Sequence, residues 1–165
     1  MNRIVCAMLD AARWAPNSGN RQACRFAVLD TPEKKALLEG IKERHCTTAP
    51  LLIFVGADTR LYGALGAEER CMYLDTGAAV MQMLLVAHGG GLGACWNHFA
   101  DDLIQSRPRN RELYHRFATE LCIPGYIAPV AIVAVGAARF IPPVPARMPV
   151  DSFRTGPGQK PPPDC

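Results

Sequence analysis

The chain has 165 residues, of which 49% are hydrophobic and 20% charged, and its formal net charge is +3. This length and balance predict a single globular domain and argue against general disorder. The 18 basic residues form no stripe with interleaved aromatic residues, and the longest apolar run, 77–87, contains Gln82 and is too short to span a bilayer. Neither a nucleic-acid partner nor a membrane is therefore expected.

The seven cysteines are odd in number and include no C-x-x-C pair. They form no disulfide framework of the secreted kind, so a reducing cytoplasm is the predicted location. Their spacing lacks the paired ligands of a structural zinc site, and no metal is predicted. Most of them stand in apolar segments, where a free thiol behaves as a small hydrophobic group, and burial is expected.

Apolar periodicity predicts alternating helices and strands. The predicted elements are, in chain order, a helix over 4–15, a strand over 25–29, a helix from Thr31 to about Arg44, a strand over 51–57, a helix over 67–88, a strand over 92–96, a helical piece capped by Asp101 or Asp102, a helix over 110–121 and a strand over 129–136. The glycines at 89–91 end the central helix, and Pro108 bends or divides the helical segment around it. The runs 51–57 and 129–136 are typical of strands covered on both faces.

Prolines cluster beyond Gly136 and exclude a regular helix or a central strand there. This tail is expected to be disordered or to extend along a surface, such as that of a second copy of the chain. The sequence accordingly predicts a domain over 1–140 and a proline-rich tail over 141–165.

The chain carries none of the common catalytic motifs. It has no G-x-S-x-G, no H-E-x-x-H and no P-loop, and its G-G-G-L-G at 89–93 follows a helix, which is the reverse of the dinucleotide fingerprint. No protein nucleophile is indicated, so catalytic side chains stay unknown. If the protein is an enzyme, a bound cofactor would supply the chemistry.

Three ordered motifs resemble those of the FMN-dependent nitroreductase family. The stretch A-P-N-S-G-N-R-Q-A-C-R-F at 15–26 is similar to the signature A-P-S-x-x-N-x-Q-P-W-x-F, and residues 75–96 resemble the central helix and the glycine turn after it. C-I-P-G-Y-I-A-P-V-A-I-V-A-V-G at 122–136 resembles the strand L-x-I-P-x-x-x-x-P-V-A-x-x-x-x-G. Three motifs in order, spanning roughly residues 10–148, are more specific than any one of them.

The resemblance implies an α+β fold, with a mixed, largely antiparallel sheet flanked by helices. The alternation of helices and strands would by itself have suggested a parallel α/β sheet. The resemblance also implies a homodimer in which two chains build each FMN site, with the tail reaching across the interface.

The resemblance further implies FMN contacts from the polar loop, from a segment beside the reactive face of the flavin, and from an arginine that binds the phosphate. The implied cofactor-binding residues are Pro16, Asn17, Ser18, Asn20, Trp96, Asn97, His98 and Arg147. Seen without the other motifs, the polar loop is better interpreted as an Asx turn that satisfies its own backbone. His98 could equally be a surface or hydrogen-bonded histidine.

One departure from the family concerns the phosphate. Family members usually carry an R-R-S-x-R-like segment that supplies further phosphate ligands, and this sequence starts inside the following helix. FMN could then bind weakly, Arg21, Arg25 or Arg139 could compensate, or the native chain could have additional residues at its start.

The implied activity is FMN-dependent oxidoreduction that passes hydride from NADH or NADPH through the flavin to a nitroaromatic, quinone or similar small acceptor. Two alternatives stay open. One is a flavin-dependent dehydrogenase or oxidase that desaturates a small metabolite or peptide, since relatives of that kind share the N-R-Q-A form of the loop. The other is a non-catalytic flavin-binding or structural subunit.

Overall fold

A computed structural model describes residues 3–63, 66–141 and 143–153, with backbone alone at 45, 66–69, 151 and 152. Its regular elements are, in chain order, α1 (Arg3–Arg13), β1 (Cys24–Leu29), α2 (Pro32–Ala36), α3 (Arg44–Thr47), β2 (Leu51–Asp58), α4 (Gly66–Gly89), β3 (Gly93–His98), α5 (Asp101–Gln105), α6 (Pro108–Glu120) and β4 (Ile127–Gly136). Within the described residues, no helix combines the length and hydrophobicity that a bilayer crossing requires.

The strands form one sheet in the order β1-β2-β4-β3, and every pairing among them is antiparallel. This confirms the α+β fold with a largely antiparallel sheet. The parallel arrangement suggested by the alternation of helices and strands does not form, because the short helices between β1 and β2 return the chain to the end of the sheet that it left. Leu29 at the end of β1 therefore pairs with Leu52 near the start of β2.

Helices cover both faces of the sheet. On one face, α1 and α4 pack on the strands through a core that includes Met8, Ile53, Val80, Met83 and Val133. On the other face, a second core joins Leu38, Phe54, Phe99, Phe117 and Ile132. Strand β2 is buried on both faces, as its continuous apolar sequence predicts.

The predicted second helix does not run to Arg44. The structure has only α2, which ends at Ala36, followed by turns and the single helical turn of α3. Gly40 in that interval has φ 85°, a left-handed conformation that a continuous helix cannot contain. Thr31 does cap α2, since its side chain accepts a hydrogen bond from the Lys34 N–H.

The helical segment after β3 also differs in detail from the prediction. Ala100, and not Asp101 or Asp102, occupies the N-cap position of α5, and the two aspartates lie in its first turn. Pro108 does divide the segment as expected, because it begins α6 at the first helical position.

The predicted burial of the cysteines is wrong for most of them. Of the six described thiols, which are all free, only Cys46 is buried, while Cys24 and Cys71 are half-buried and Cys6, Cys95 and Cys122 are exposed. Apolar neighbours in the sequence do not ensure burial where an element is itself at an edge, as β3 is. Cys165 lies outside the described residues.

Between β4 and Val150, the residues that the structure describes form no strand or α-helix, and a short 3-10 turn covers Val150–Phe153. Its described residues from Ala137 onward are almost entirely exposed. The boundary at 140/141 and the extension over a second copy stay predictions, and residues 154–165 lie outside the described part of the chain.

Gly56 marks the register shift in the pairing of β2 with β4. A Cβ at this position would lie 2.7 Å from Ile127 Cγ2 and 2.8 Å from the Ala128 carbonyl oxygen. We therefore expect Gly56→Ala to lower the free energy of unfolding by about 1–3 kcal/mol, the usual cost of overpacking. Urea denaturation followed by circular dichroism measures this loss.

The matched control is Gly125→Ala, since a Cβ on Gly125 would meet nothing within 4 Å. Its free energy of unfolding should change by no more than about 0.5 kcal/mol. Equal losses in the two variants would contradict the packing described at Gly56.

Candidate functional site

The polar loop between α1 and β1 has an unusual backbone. Gly19, Asn20 and Gln22 adopt left-handed conformations with φ of 60°, 52° and 51°. Such values are uncommon for residues other than glycine and cost on the order of 1–3 kcal/mol each. A loop held in this way is typical of a binding site, where the backbone shape serves a ligand.

A buried carboxylate on α4 anchors the loop. Oδ1 of Asp75 accepts hydrogen bonds from the backbone N–H and the Oγ of Ser18, each at 2.9 Å. Its Oδ2 accepts a hydrogen bond from the Tyr62 hydroxyl at 2.8 Å. Asp75 is only 6% exposed, so these donors replace the water that the charge has lost. Burial and then the Asp75 carboxylate raise the pKa of Tyr62 above its usual range.

Two of the residues predicted to contact flavin use their side chains within the protein. Asn17 Oδ1 accepts a hydrogen bond from the Gln22 N–H at 2.9 Å, and its amide donates to the Ala15 carbonyl at 3.2 Å. The side chain of Ser18 is bonded to Asp75. Asn17 thus bonds the backbone of its own segment, although to the N–H five residues on and not in the Asx turn that the sequence suggested, and both residues shape the loop.

The other two predicted loop residues remain accessible. Pro16 and Asn20 are exposed. The Asn20 side chain accepts one long hydrogen bond, from Gln22 Nε2 at 3.3 Å. Its amide is thus the polar group of the loop that is best placed to meet a ligand.

Arg21 and Arg25, two of the candidates for a compensating phosphate contact, support the loop. Arg21 donates to the Ser18 carbonyl at 2.9 Å, and its guanidinium lies 5.6 Å from the ring centroid of Tyr62. Arg25 donates to the carbonyls of Gln22 and Cys24, each at 2.9 Å. Both therefore stiffen the backbone around the left-handed residues.

The second predicted segment lies at the edge of the sheet. Trp96, Asn97 and His98 belong to β3, which in the described part of the chain pairs with β4 alone. Alternate backbone N–H and C=O groups of an edge strand point away from its neighbour. The sequence expectation of backbone donors in this segment is thus compatible with its position.

The side chains of this segment alternate between the two faces of the sheet. Trp96 lies on the face of α4, where a Cβ on Gly77 would be 3.3 Å from its ring, and it is 44% exposed. Asn97 points to the opposite face, is largely buried, and donates from its amide to the Cys95 carbonyl at 3.1 Å. Trp96 therefore lies on the face that carries α4, and Asn97 lies on the other face.

His98 is hydrogen-bonded and largely exposed. Its Nε2 lies 2.7 Å from Asp102 Oδ1, and Lys42 Nζ donates to its carbonyl oxygen at 2.7 Å. The surface interpretation of His98 thus agrees with the structure, and the same position leaves the imidazole accessible to a ligand.

The loop and the β3 segment lie on opposite sides of α4 within one chain. Asp75 holds the loop, while Gly77 faces Trp96, and two residues along a helix correspond to a rotation of about 200°. Arg147 lies in the exposed tail, where it donates a long hydrogen bond to the carbonyl of Ala146 at 3.5 Å. Within one chain, the loop and the β3 segment therefore do not meet.

Sequence reasoning missed the roles of Asp75 and Tyr62. A signal for Asp75 was present, because it is a carboxylate followed by the uncharged run 76–87, in a helix predicted to pack in the core. A buried acid of this kind needs donors from elsewhere in the fold. Tyr62 had no comparable signal, since its partner becomes adjacent only through the path of the chain between β2 and α4.

Comparison with known proteins agrees with this fold. The nitroreductase family model matches residues 4–45 and 36–137. A Desulfovibrio desulfuricans protein, named a nitroreductase and solved in complex with FMN, is 26% identical, and the match covers 94% of this chain and 84% of that one with a TM-score of 0.72. A Clostridium acetobutylicum protein named an NADH oxidase is 26% identical, with coverages of 97% and 90% and a TM-score of 0.73. The FMN-dependent nitroreductase of Clostridium difficile R20291 is 22% identical, with coverages of 94% and 87% and a TM-score of 0.72.

These matches show that the chain has the same α+β fold as solved nitroreductases. The chain belongs to the nitroreductase family, because the family model covers most of its length. The family and the FMN-bound neighbour support a flavin-dependent oxidoreductase in general terms.

The bond between Tyr62 and Asp75 gives a pH-dependent prediction. The folded-state pKa of Tyr62 is raised, so the stabilisation is complete below the ordinary tyrosine pKa of about 10 and is lost as the pH rises above it. Tyr62→Phe should therefore lower the free energy of unfolding by about 1–3 kcal/mol at pH 8. The difference from the wild type should narrow as the pH rises beyond 10, as measured by urea denaturation.

A double-mutant cycle with Asp75→Ala is the control for this interaction. In the Asp75→Ala background, Tyr62→Phe should have little further effect, because the acceptor is already absent. Additive losses in the double variant would show that Tyr62 stabilises the fold by other means.

Proposed function

We propose that the protein is an FMN-dependent oxidoreductase whose flavin sites are each built by two copies of the chain. The observation that carries the proposal is the strained loop held by buried Asp75, which stands at the family's flavin signature. Its accessible Asn20 amide and its glycine suit the polar edge of a flavin, which needs donors, acceptors and close backbone approach.

The residues of the second copy would complete the site from β3. The outward N–H groups of the segment Trp96–His98 are proposed donors to the flavin, where a fixed donor stabilises negative charge on the reduced ring. Arg147 is the proposed phosphate ligand, since a guanidinium can donate two parallel hydrogen bonds to a phosphate. When bound, FMN would supply hydride transfer from NADH or NADPH to a nitroaromatic, quinone or similar small acceptor.

An apolar stripe on α4 supports the homodimer. Leu74, Met81 and Leu85 are 72%, 49% and 53% exposed and recur at intervals of seven and four residues, which places them on one face of the helix. The opposite face buries Ala79 and Met83 in the core. Exposed apolar residues that share one face of a helix suit an interaction site, and we propose that a second copy of the chain covers them. We also propose that the protein works in the reducing conditions of the cytoplasm.

A second candidate is a flavin-binding subunit without catalysis. It is favoured by the use of Arg21 and Arg25, which both donate to backbone carbonyls of the loop, so that Arg147 is the one proposed phosphate ligand. A dehydrogenase that desaturates a small metabolite is tested separately, by screening substrates aerobically in the absence of nicotinamide.

The direct test of function is to add NADH or NADPH anaerobically to the FMN-loaded protein. Bleaching of the flavin absorbance within seconds, followed by its recovery on addition of a quinone, is the expected result. A protein that holds FMN but is bleached by neither nucleotide would be the non-catalytic candidate. A protein that takes up no FMN would refute both.

Two substitutions test the proposed flavin contacts. Asn20→Gly removes the amide but permits the left-handed backbone, and it should raise the Kd for FMN about three- to tenfold, equivalent to one lost hydrogen bond of about 0.5–1.5 kcal/mol. Arg147→Ala should raise it roughly ten- to a hundredfold, because the lost bond is charge-assisted. Quenching of FMN fluorescence on titration measures both constants.

The matched control is Arg111→Ala, which removes the same charge from an exposed position on α6, on the opposite face of the sheet. Its Kd for FMN should equal that of the wild type. If Asn20→Gly and Arg147→Ala also bind like the wild type, the assignment of the site is wrong.

A further inference from the structure

A second buried carboxylate lies near the polar loop, at the end of β2. Asp58 is only 1% exposed, and Arg60 binds it through two nitrogens: Nε donates to Oδ1 at 2.9 Å and Nη2 donates to Oδ2 at 2.7 Å. The Arg60 guanidinium also lies 3.5 Å from the ring centroid of Tyr126. The two parallel hydrogen bonds fix the orientation of the carboxylate, so Asp58 is a negative charge held in one position.

Arg25 connects this carboxylate to the polar loop. Arg25 pairs with Gly56 across the two strands, so its side chain lies on the same face of the sheet as that of Asp58, two residues beyond Gly56. Its Nη2 lies 3.5 Å from Asp58 Oδ2, while its Nη1 donates to the carbonyls of Gln22 and Cys24, each at 2.9 Å. One planar guanidinium thus spans the buried charge and the backbone of the loop.

Gln22 is the left-handed residue that this contact holds. Its φ is 51°, a value that a residue other than glycine keeps only when its surroundings determine it. Its N–H donates to Asn17 Oδ1 at 2.9 Å, and its Nε2 donates to Asn20 Oδ1 at 3.3 Å. The conformation of Gln22 therefore affects the placement of the Asn20 amide, which is the proposed flavin contact.

We propose that Asp58 is a positioning residue of the flavin site, which acts through Arg25 to keep Gln22 in its left-handed conformation. The carboxylate directs the Arg25 guanidinium toward the Gln22 carbonyl, and a charged donor makes a stronger hydrogen bond there than a neutral one would. The inference rests on the proposed function where it concerns FMN, whereas the effect on the loop is present in the protein without flavin.

Hydrogen exchange of the flavin-free protein tests the effect on the loop. Asp58→Asn removes the charge and replaces a carboxylate oxygen by a nitrogen that carries hydrogens, so the amides of residues 17–24 should exchange about tenfold faster. Arg25→Ala should have the same effect, and it remains informative if Asp58→Asn does not fold. The matched control is Asp30→Asn at the other end of β1, where the exposed carboxylate pairs with Lys34. Wild-type exchange of residues 17–24 in Asp58→Asn or Arg25→Ala would overturn the proposal.

Arg25→Ala and Arg60→Ala separate positioning from stability. Both arginines bind Asp58, but among the described residues only Arg25 also donates to the loop. Arg25→Ala should raise the Kd for FMN about three- to tenfold, as expected for one lost hydrogen bond. Arg60→Ala should lower the midpoint of thermal unfolding at least as much as Arg25→Ala, with the Kd for FMN unchanged. A Kd that rises with the loss of stability in both variants would contradict the positioning role.

Riboflavin distinguishes a positioned loop from a direct phosphate contact, because it has the ring of FMN without the phosphate. In Arg25→Ala the Kd for riboflavin should rise by the same factor as the Kd for FMN. A rise for FMN alone would show that Arg25 binds the phosphate and would overturn the inference. Asp58→Asn should also raise both constants, with little further effect in the double variant with Arg25→Ala, since the two residues act through one contact.

The two kinds of measurement fail separately. If the wild-type protein binds neither FMN nor riboflavin, the proposed function is wrong, and the exchange of residues 17–24 still decides whether Asp58 positions the loop. If the wild-type protein binds FMN but Asp58→Asn changes neither the exchange nor the Kd, the proposed function stands and the positioning role of Asp58 is refuted.

Discussion

The structure around the flavin signature depends on the buried carboxylate of Asp75. A charge removed from water is tolerated only when hydrogen-bond donors replace its hydration, and here Ser18 and Tyr62 supply them. The same bonds join the loop, the segment after β2 and the central helix α4. The left-handed backbone of Asn20 and Gln22 persists because this anchor and the arginines beside it determine the conformation of the loop.

The central helix serves two surfaces at once. One face of α4 packs on the sheet and carries Asp75, while Leu74, Met81 and Leu85 leave a second face apolar and exposed. When both faces of a surface helix are apolar, the second face usually contacts another element or another chain. The loop and Trp96 lie on different sides of this helix, so pairing two copies is the simplest way to bring both kinds of contact to one flavin.

The sequence predicted most of the framework because periodicity reports burial directly. The central helix, the doubly covered strand β2 and the loop with Asn20 all follow from local patterns. The prediction of a second helix running to Arg44 was wrong because Gly40 interrupts it. The thiols of Cys6, Cys95 and Cys122 are exposed because an apolar stretch does not tell which of its residues face solvent. The tendency of asparagine to bond nearby backbone anticipated a local role for Asn17 but not its partner Gln22, and the contact between Tyr62 and Asp75 arises only from tertiary packing.

Native mass spectrometry of the FMN-loaded protein tests the central claim most directly, because it counts chains and flavins in the same particle. Two chains with two FMN molecules are expected, together with the loss of flavin when the dimer is dissociated by charged substitutions at Leu74 and Leu85. A single chain that retains one FMN would contradict the account, since it would show that the loop and the edge strand do not need a second copy to form the site.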